Sequence, residues 1–526
     1  MYSEMGCMNK PSFKSTPVHS FFRFLGQQNV NMAAVVSLTF LFFVVALIGI
    51  CHHEIWRDEM EAWSLVRSAP SLSYIFHTLP YIGHPSLWYL ILYQVVQFTS
   101  NPFAMQLIHV GIATVSMFVF LRFAPFNWLI KILFIFGYFP LYEYTIKARS
   151  YSLGILFVFL ICALWKNRHK HYLLISLFLF LLFQTSAMGA ILGLSISGAL
   201  ILDYHFVRPP STAGKKPSLL LPGFIILIGL GFFILQVLPP PDGGIAVGWD
   251  WGIHFGKIVK VFSFAIRTYV FAGGEKIIGY YPYFLNMTAV YVWFQFSLLA
   301  AFFFFLIFIK KPIVLALFLL GNTGFLTFFY TKYIGYPWHH GHLFILLIVC
   351  LWIAKFYPEE EFRLFGGVSS FIKKVLPVVI FLLMASQFIY GVKAYYNDLY
   401  RPYSCAKETA QYIKDAQLNR LLLVGDVDYI VAAVAGHLGQ DIYYPKSRRF
   451  GNHVICFKDK YGRAGLSLVC DTARTLQRES KKDAVLILTY EVGEKEMADN
   501  QLVLLKKFEG SIFPDEIFYL YRLDCK

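Results

Sequence analysis

Charged side chains are scarce in this 526-residue sequence: Asp, Glu, Lys and Arg make up 15%, against 57% hydrophobic residues. So many separate apolar runs exclude an ordinary soluble globular chain. Other chemistries lack their signatures. The eight cysteines include no CxxC pair, which argues against a thiolate metal cluster. No Gly-rich loop follows the "VGD" at 424–426, so that turn is not a phosphate loop. Internal repeats and low-complexity tracts are missing. No small-residue cleavage site follows the first apolar run, which therefore reads as a retained span. Acids are outnumbered by bases, 31 to 46, giving a net charge of +15. The basic residues are dispersed among short loops. That pattern fits topology determinants and lipid-headgroup contacts, and it excludes nucleic acid as a partner.

What remains is a polytopic membrane protein. Apolar runs fall near 33–51, 103–122, 128–142, 151–165, 172–186, 187–203, 218–238, 289–309, 312–330, 342–357 and 375–391. One more, "SLWYLILYQVVQF" at 86–98, decides the topology. If it spans, "KNRHKH" (166–171), "RPPSTAGKKP" (208–217) and "KKP" (310–312) all face outward. If it lies in the interface, all three share the cytoplasm with residues 1–32. The positive-inside rule favours the interfacial reading. About eleven spans result, with the N-terminus inside and the C-terminus outside. The loop 52–102, the segment 143–152, the loop 239–288, "TKYIGYPWHHG" (331–341) and everything after 392 then share the outer side. Polar residues of unusual type gather on one face, as a site at the membrane surface needs.

Three regions follow: a cytoplasmic segment 1–32, a transmembrane domain 33–392 and an outer domain 393–526. In the last, helix-like and strand-like patterns alternate, predicting a small α/β domain. Strands are expected at "RLLLVGD", "DIYYP", "HVICFK", "DAVLILTY" and "EIFYLYRL". Cys405, Cys456, Cys470 and Cys525 lie here. An oxidising compartment would pair at least two of them, with Cys456 and Cys470 preferred because they close a short loop.

The chemistry concentrates in "HHEIWRDEMEAW" (52–63), where Glu54, Asp58, Glu59 and Glu61 stand at the lip of the first span. On a helix, Arg57 and Glu61 are spaced to pair, which leaves Asp58 and Glu59 unaccounted for. "YIGHPSLWYL" then supplies His84 before a proline and an aromatic helix able to lie along the membrane. His52, His53, Glu54, Asp58 and His84 carry enough oxygen and nitrogen donors for a divalent metal, although no spacing among them is diagnostic. Arg149 and Lys147, with Lys332, His339 and His340, head other spans on the same side. Each alone also fits snorkelling or interfacial solvation.

"WRDE" with nearby "EAW", followed about twenty residues on by "GHPSLWYL", resembles the first outer loop of GT-C-fold glycosyltransferases. This group includes the protein O-mannosyltransferases and the lipid A aminoarabinose transferases. "YEYTIKARSYSLGIL" resembles their Arg-containing segment, and "KYIGYPWHHGHLF" a segment of uncharacterised bacterial relatives. The superfamily's "HPP" is "HPS" here. The resemblance covers the first 165 residues and, locally, 331–345. It implies an enzyme of the inner (plasma) membrane moving a hexosyl-type sugar from a polyprenyl-phosphate carrier to a lipid, glycan or protein hydroxyl. It implies Asp58 as catalytic base with Glu59 in support, since Asp58 matches the first acid of the family's Asp-Glu pair. For the lipid phosphate it implies Arg149, Lys147, Lys332, His339, His340 and His84. Metal-independent members exist, so the resemblance does not itself require a metal. The rival is a flippase of lipid-linked saccharide. Such a transporter would show mid-membrane charges or repeated halves, and the sequence has neither.

Overall fold

The structure, a computed structural model, describes residues 31–207, 218–246, 248–269, 287–359 and 366–524. Residues 1–30, the basic loop 208–217 and Cys525 lie outside it, with the expectations attached to them.

Among the described residues, ten helices are long and apolar enough to cross a membrane. The first, Met32–His52, starts at Asn31, whose side chain caps Ala33 N at 3.0 Å. One face buries Phe42 and Ala46, while Phe40 and Leu41 project outward, where only lipid would cover them. The same division recurs around the bundle, with Leu220, Leu235 and Phe302 exposed and Phe120, Phe134, Phe344 and Trp352 packed inside. This is a multi-pass membrane protein. The run at 172–186 forms a shorter apolar helix, Tyr172–Phe183.

The helix of run 86–98 covers only Leu87–Val96. Ten residues rise about 15 Å, half of a bilayer core of about 30 Å. It buries Trp88, Tyr89 and Leu92 and packs against the acidic helix Arg57–Ser68. Within 239–288 the described residues include a helix, Phe255–Arg267, tied to its neighbour by Ser263 Oγ on Val290 O at 2.6 Å. Within "KNRHKH", Arg168 is buried and grips Asp203 with two 2.6 Å bonds, so it acts as a structural ion pair as well as a loop charge.

The stretch Tyr138–Ile146 winds as a π-helix, buried along its whole length. Pro140 sits in its first turn, where a missing N–H costs nothing. Thr145 Oγ1 closes onto Pro140 O at 2.6 Å. The chain leaves this wide turn extended, which aims Lys147 and Arg149 in different directions.

Residues after the long helix Gly366–Tyr400 build a six-stranded sheet. Its strands are β1 (Leu422–Gly425), β2 (Ile442–Tyr444), β3 (Arg449–Gly451), β4 (Ala484–Leu488), β5 (Leu502–Phe508) and β6 (Phe518–Leu523), in the order β3-β2-β1-β4-β6-β5. β1 runs parallel to β2 and β4, and the other pairs are antiparallel. β1 and β4 are buried throughout because helices cover both faces. Leu423 and Val485 meet helices Ala406–Asp415 and Asp428–Leu438, while Val424 and Leu486 meet Leu466–Ser480. β3 and β5 were not expected from the sequence. "HVICFK" forms no strand beyond one bridge, Phe457 with Gly243. The preferred Cys456–Cys470 disulfide is not formed. Cys470 is sealed between Leu466–Ser480 and the sheet, whereas Cys456 lies in the 452–457 segment against Gly244. Cys405 is also free.

Candidate functional site

The acidic helix Arg57–Ser68 opens with Asp58 and Glu59 in its first turn, where the helix dipole favours anions. Its backbone is fixed from a distance. Arg57 N donates to Glu516 Oε1 at 3.0 Å, and the Arg57 guanidinium lies between Asp58, Asp515 and Glu516 over the ring of Phe513. The next helix, Leu72–Ile82, stops at Gly83, whose φ of +69° is the left-handed conformation that glycine adopts freely. That stop delivers His84 toward Asp58 and Arg149.

Asp58 Oδ2 meets Arg149 Nη1 at 3.0 Å, with the carboxylate 30% exposed and the arginine 12%. The guanidinium lies over the rings of Tyr151, Trp338 and Trp56. Its main chain is held by His109, whose Nδ1–H donates to Thr145 O at 2.9 Å and whose Nε2 accepts Arg149 N at 3.2 Å. Burial pushes the His84 imidazole down to about 4, helped by the Arg149 charge and opposed by Asp58. Tyr333 and Tyr89 also face this pair closely enough to feel the Asp58 charge. His339 packs edge-on against Tyr333 and Tyr151, and its Nδ1 accepts Tyr336 N at 3.1 Å. That bond leaves the proton of a neutral ring on Nε2. Asp58, Arg149, His84 and His339 are thus brought together.

Glu59 is fully buried and faces elsewhere. Oε2 binds His53 Nε2 at 2.9 Å, and Oε1 accepts Ala148 N. His53 Nδ1 binds Asp398 Oδ2 at 2.7 Å. The two carboxylates outweigh burial and raise the His53 pKa, so the ring is a buried imidazolium. This chain of contacts ties the first span, the acidic helix, residue 148 and the last long helix.

Other predicted residues are occupied differently. Glu61 does not pair with Arg57; it accepts Val454 N at 3.0 Å, and burial pushes its carboxyl up to about 8. Lys147 directs its ammonium to Glu143 at 2.8 Å, beneath Tyr142 and Tyr403. Lys332 Nζ donates to Ile245 O at 2.9 Å and lies over Trp249. His340 bonds Ile334 O at 2.7 Å and packs on Phe329. The metal-ligand set is not assembled: His52 bonds Ile48 O and His53 is taken by carboxylates. Among the described residues, no group of three His, Cys, Asp or Glu side chains could hold a metal ion. Sequence reading missed His109, Asp398 and Glu516, and it offered His53 only as a possible metal donor.

A helical bundle with an acidic helix after its first span, interfacial helices beside it and a small α/β domain is a polytopic GT-C-like membrane fold. A crystal structure of ArnT from Cupriavidus metallidurans bound to undecaprenyl phosphate shares it. The TM-score is 0.50 at 10% identity, over 94% of this chain and 98% of that one. No family model matches the sequence, and no curated protein matches it either.

Proposed function

We propose that the protein is a glycosyltransferase that moves a sugar, of hexosyl type, from a polyprenyl-phosphate carrier to an acceptor hydroxyl at the outer face of the plasma membrane. The observation that carries this reading is the Asp58–Arg149 pair at 3.0 Å. Of the acidic helix's three carboxylates, Glu59 is consumed by His53 and Ala148 N, and Glu61 by Val454 N. Asp58 alone combines partial exposure with a cationic partner. The fold likeness to a protein crystallised with undecaprenyl phosphate supports the choice of donor.

In this mechanism the acceptor oxygen attacks the anomeric carbon as Asp58 takes its proton. The bond from that carbon to the phosphate oxygen breaks, and the lipid phosphate leaves with its electron pair. Arg149 balances the growing charge, and its planar fork suits a phosphate better than a point charge does. His84 and the Nε2–H of His339 add neutral donors. A single displacement inverts the anomeric centre and needs one base, whereas a hydrolase uses two carboxyl groups. Glu59 sets the register of Asp58 against Arg149 by holding residue 148.

The orientation belongs to the same proposal, with 166–171 and 310–312 inside and the α/β domain outside. A cysteine at the exposed position 166 labelled from outside would overturn it. The activity test supplies membranes containing the protein with radiolabelled undecaprenyl-phosphate-linked sugar and follows glycosylated product together with released undecaprenyl phosphate. Label crossing the membrane without product would show a flippase instead.

A further inference from the structure

Behind the acidic helix lies a cavity of about 630 Å³ between the ends of two spans and the α/β domain. Ile50, Cys51 and Phe103 line its membrane side, and helices Ala406–Asp415 and Asp428–Leu438 its outer side. None of Asp58, Arg149, His84 or His339 borders it; the wall between is His53, with Glu59 behind. The size is typical of sites for small ligands.

Its charge is one-sided. Among the lining side chains, Arg67, Lys407 and Lys414 stand against the one carboxylate of Glu54, while the His53 imidazolium with its two carboxylates adds a net charge of −1 behind the wall. Two of the cations are held in place by main chain: Lys414 Nζ on His437 O at 2.9 Å and Arg67 Nη2 on Gly436 O at 3.3 Å. Both carbonyls end a helix, where its dipole favours cations, and most donors of each group remain free. Lys407 approaches Glu54 Oε1 only at 4.0 Å, and Glu54 Oε2 is buried with no hydrogen-bond partner. An acceptor without a donor beside three cations is costly unless a ligand supplies both a donor and an anion.

We infer that this cavity is an accessory binding site for a phosphate-bearing head group that also carries a hydroxyl or amine. The phosphate sits among Arg67, Lys407 and Lys414, and the hydroxyl or amine donates to Glu54. The occupant is either a membrane lipid's head group or a soluble phosphate monoester, and both present the same chemistry. Binding here does not depend on the transfer reaction proposed above.

Cys51 lines the cavity, is exposed and is free, so its alkylation reports occupancy. The full chain in neutral detergent is treated with a charged maleimide, and Cys51 labelling is timed by peptide mass spectrometry. Dihexanoyl phosphatidylglycerol and glycerol 1-phosphate are the two probes, with dihexanoyl phosphatidylcholine, which has no hydroxyl or amine donor, as the control. At ten times its dissociation constant, a bound probe slows labelling about tenfold by mass action. Protection by glycerol 1-phosphate supports the site with a soluble ligand; protection by phosphatidylglycerol alone supports it with a lipid. In Lys407→Glu/Lys414→Glu, both exposed positions, protection falls at least about fivefold while thermal unfolding is unchanged. Equal protection by phosphatidylcholine, no protection by either probe, or full protection in the double variant overturns the inference.

Discussion

His53→Leu tests whether the buried contacts hold the site together. The ring lies between Asp398 Oδ2 at 2.7 Å and Glu59 Oε2 at 2.9 Å, with all three side chains nearly or fully closed to solvent. Leucine fills similar volume but strips both carboxylates of their cation. Glu59 keeps Ala148 N and Trp56 N as donors. Asp398 fares worse, because its Oδ1 is already buried without a partner. Removing one member of a buried ion pair costs roughly 3–5 kcal/mol, most of it from the orphaned charge. The sign with pH follows from the raised His53 pKa. The stabilisation is complete below about 6.5, the unfolded value, and is lost as pH rises through the folded one. The assay is thermal unfolding of purified protein in detergent between pH 6 and 9. The parent should lose stability across that range more steeply than His53→Leu does. His53→Leu/Asp398→Leu should regain part of the loss, since the double change removes one orphan. A single variant within about 0.5 kcal/mol of the parent, as expected only for surface changes, refutes the reasoning.

Glu61→Gln keeps an acceptor for Val454 N and mimics the protonated acid. Burial raises this carboxyl to about 8, so its stabilisation holds at low pH and erodes as pH climbs from about 4.5 through 8. The glutamine variant should match the parent at pH 5 and exceed it in unfolding temperature at pH 9; identical pH profiles would contradict the assignment. Arg149→Ala should weaken donor binding and turnover together, and Arg149→Lys should recover only part, because a point charge replaces a planar fork. Donor dependence unchanged in Arg149→Ala would reduce that residue to an anchor. Alkylation of unreduced, denatured protein should modify Cys405, Cys456 and Cys470 completely; a Cys456–Cys470 cross-linked peptide would contradict the free thiols seen here.

The spans and most strands were legible because their signals are local. β1 and β4 are unbroken apolar runs, and the first span is a long one. β3, with three residues, and β5, whose register slips between Leu504 and Lys506, carry weak patterns. The partners of the acidic helix were not legible at all. Spacing alone pairs Arg57 with Glu61, yet the tertiary fold gives Arg57 to Glu516 and Glu61 to Val454, both hundreds of positions downstream. The meeting of Asp58 with Arg149 follows from a π-helix and from His109, whose roles appear only once the bundle closes. Family resemblance named both residues, in separate roles, but not their meeting. It also pointed to Lys147, Lys332 and His340, which the structure turns toward Glu143, Ile245 and Ile334.

The central claim is that Asp58 is the base of a sugar transfer. Asp58→Asn preserves the shape of the side chain and an oxygen for Arg149 but cannot take a proton. Compared with the parent and Glu61→Gln in membranes at matched protein levels, Asp58→Asn should bind donor normally while transfer falls by roughly 10² or more, the scale of general-base loss. Glu61→Gln should transfer at close to the parent rate. Full transfer by Asp58→Asn would contradict the account and leave the acidic lip a solvated cap.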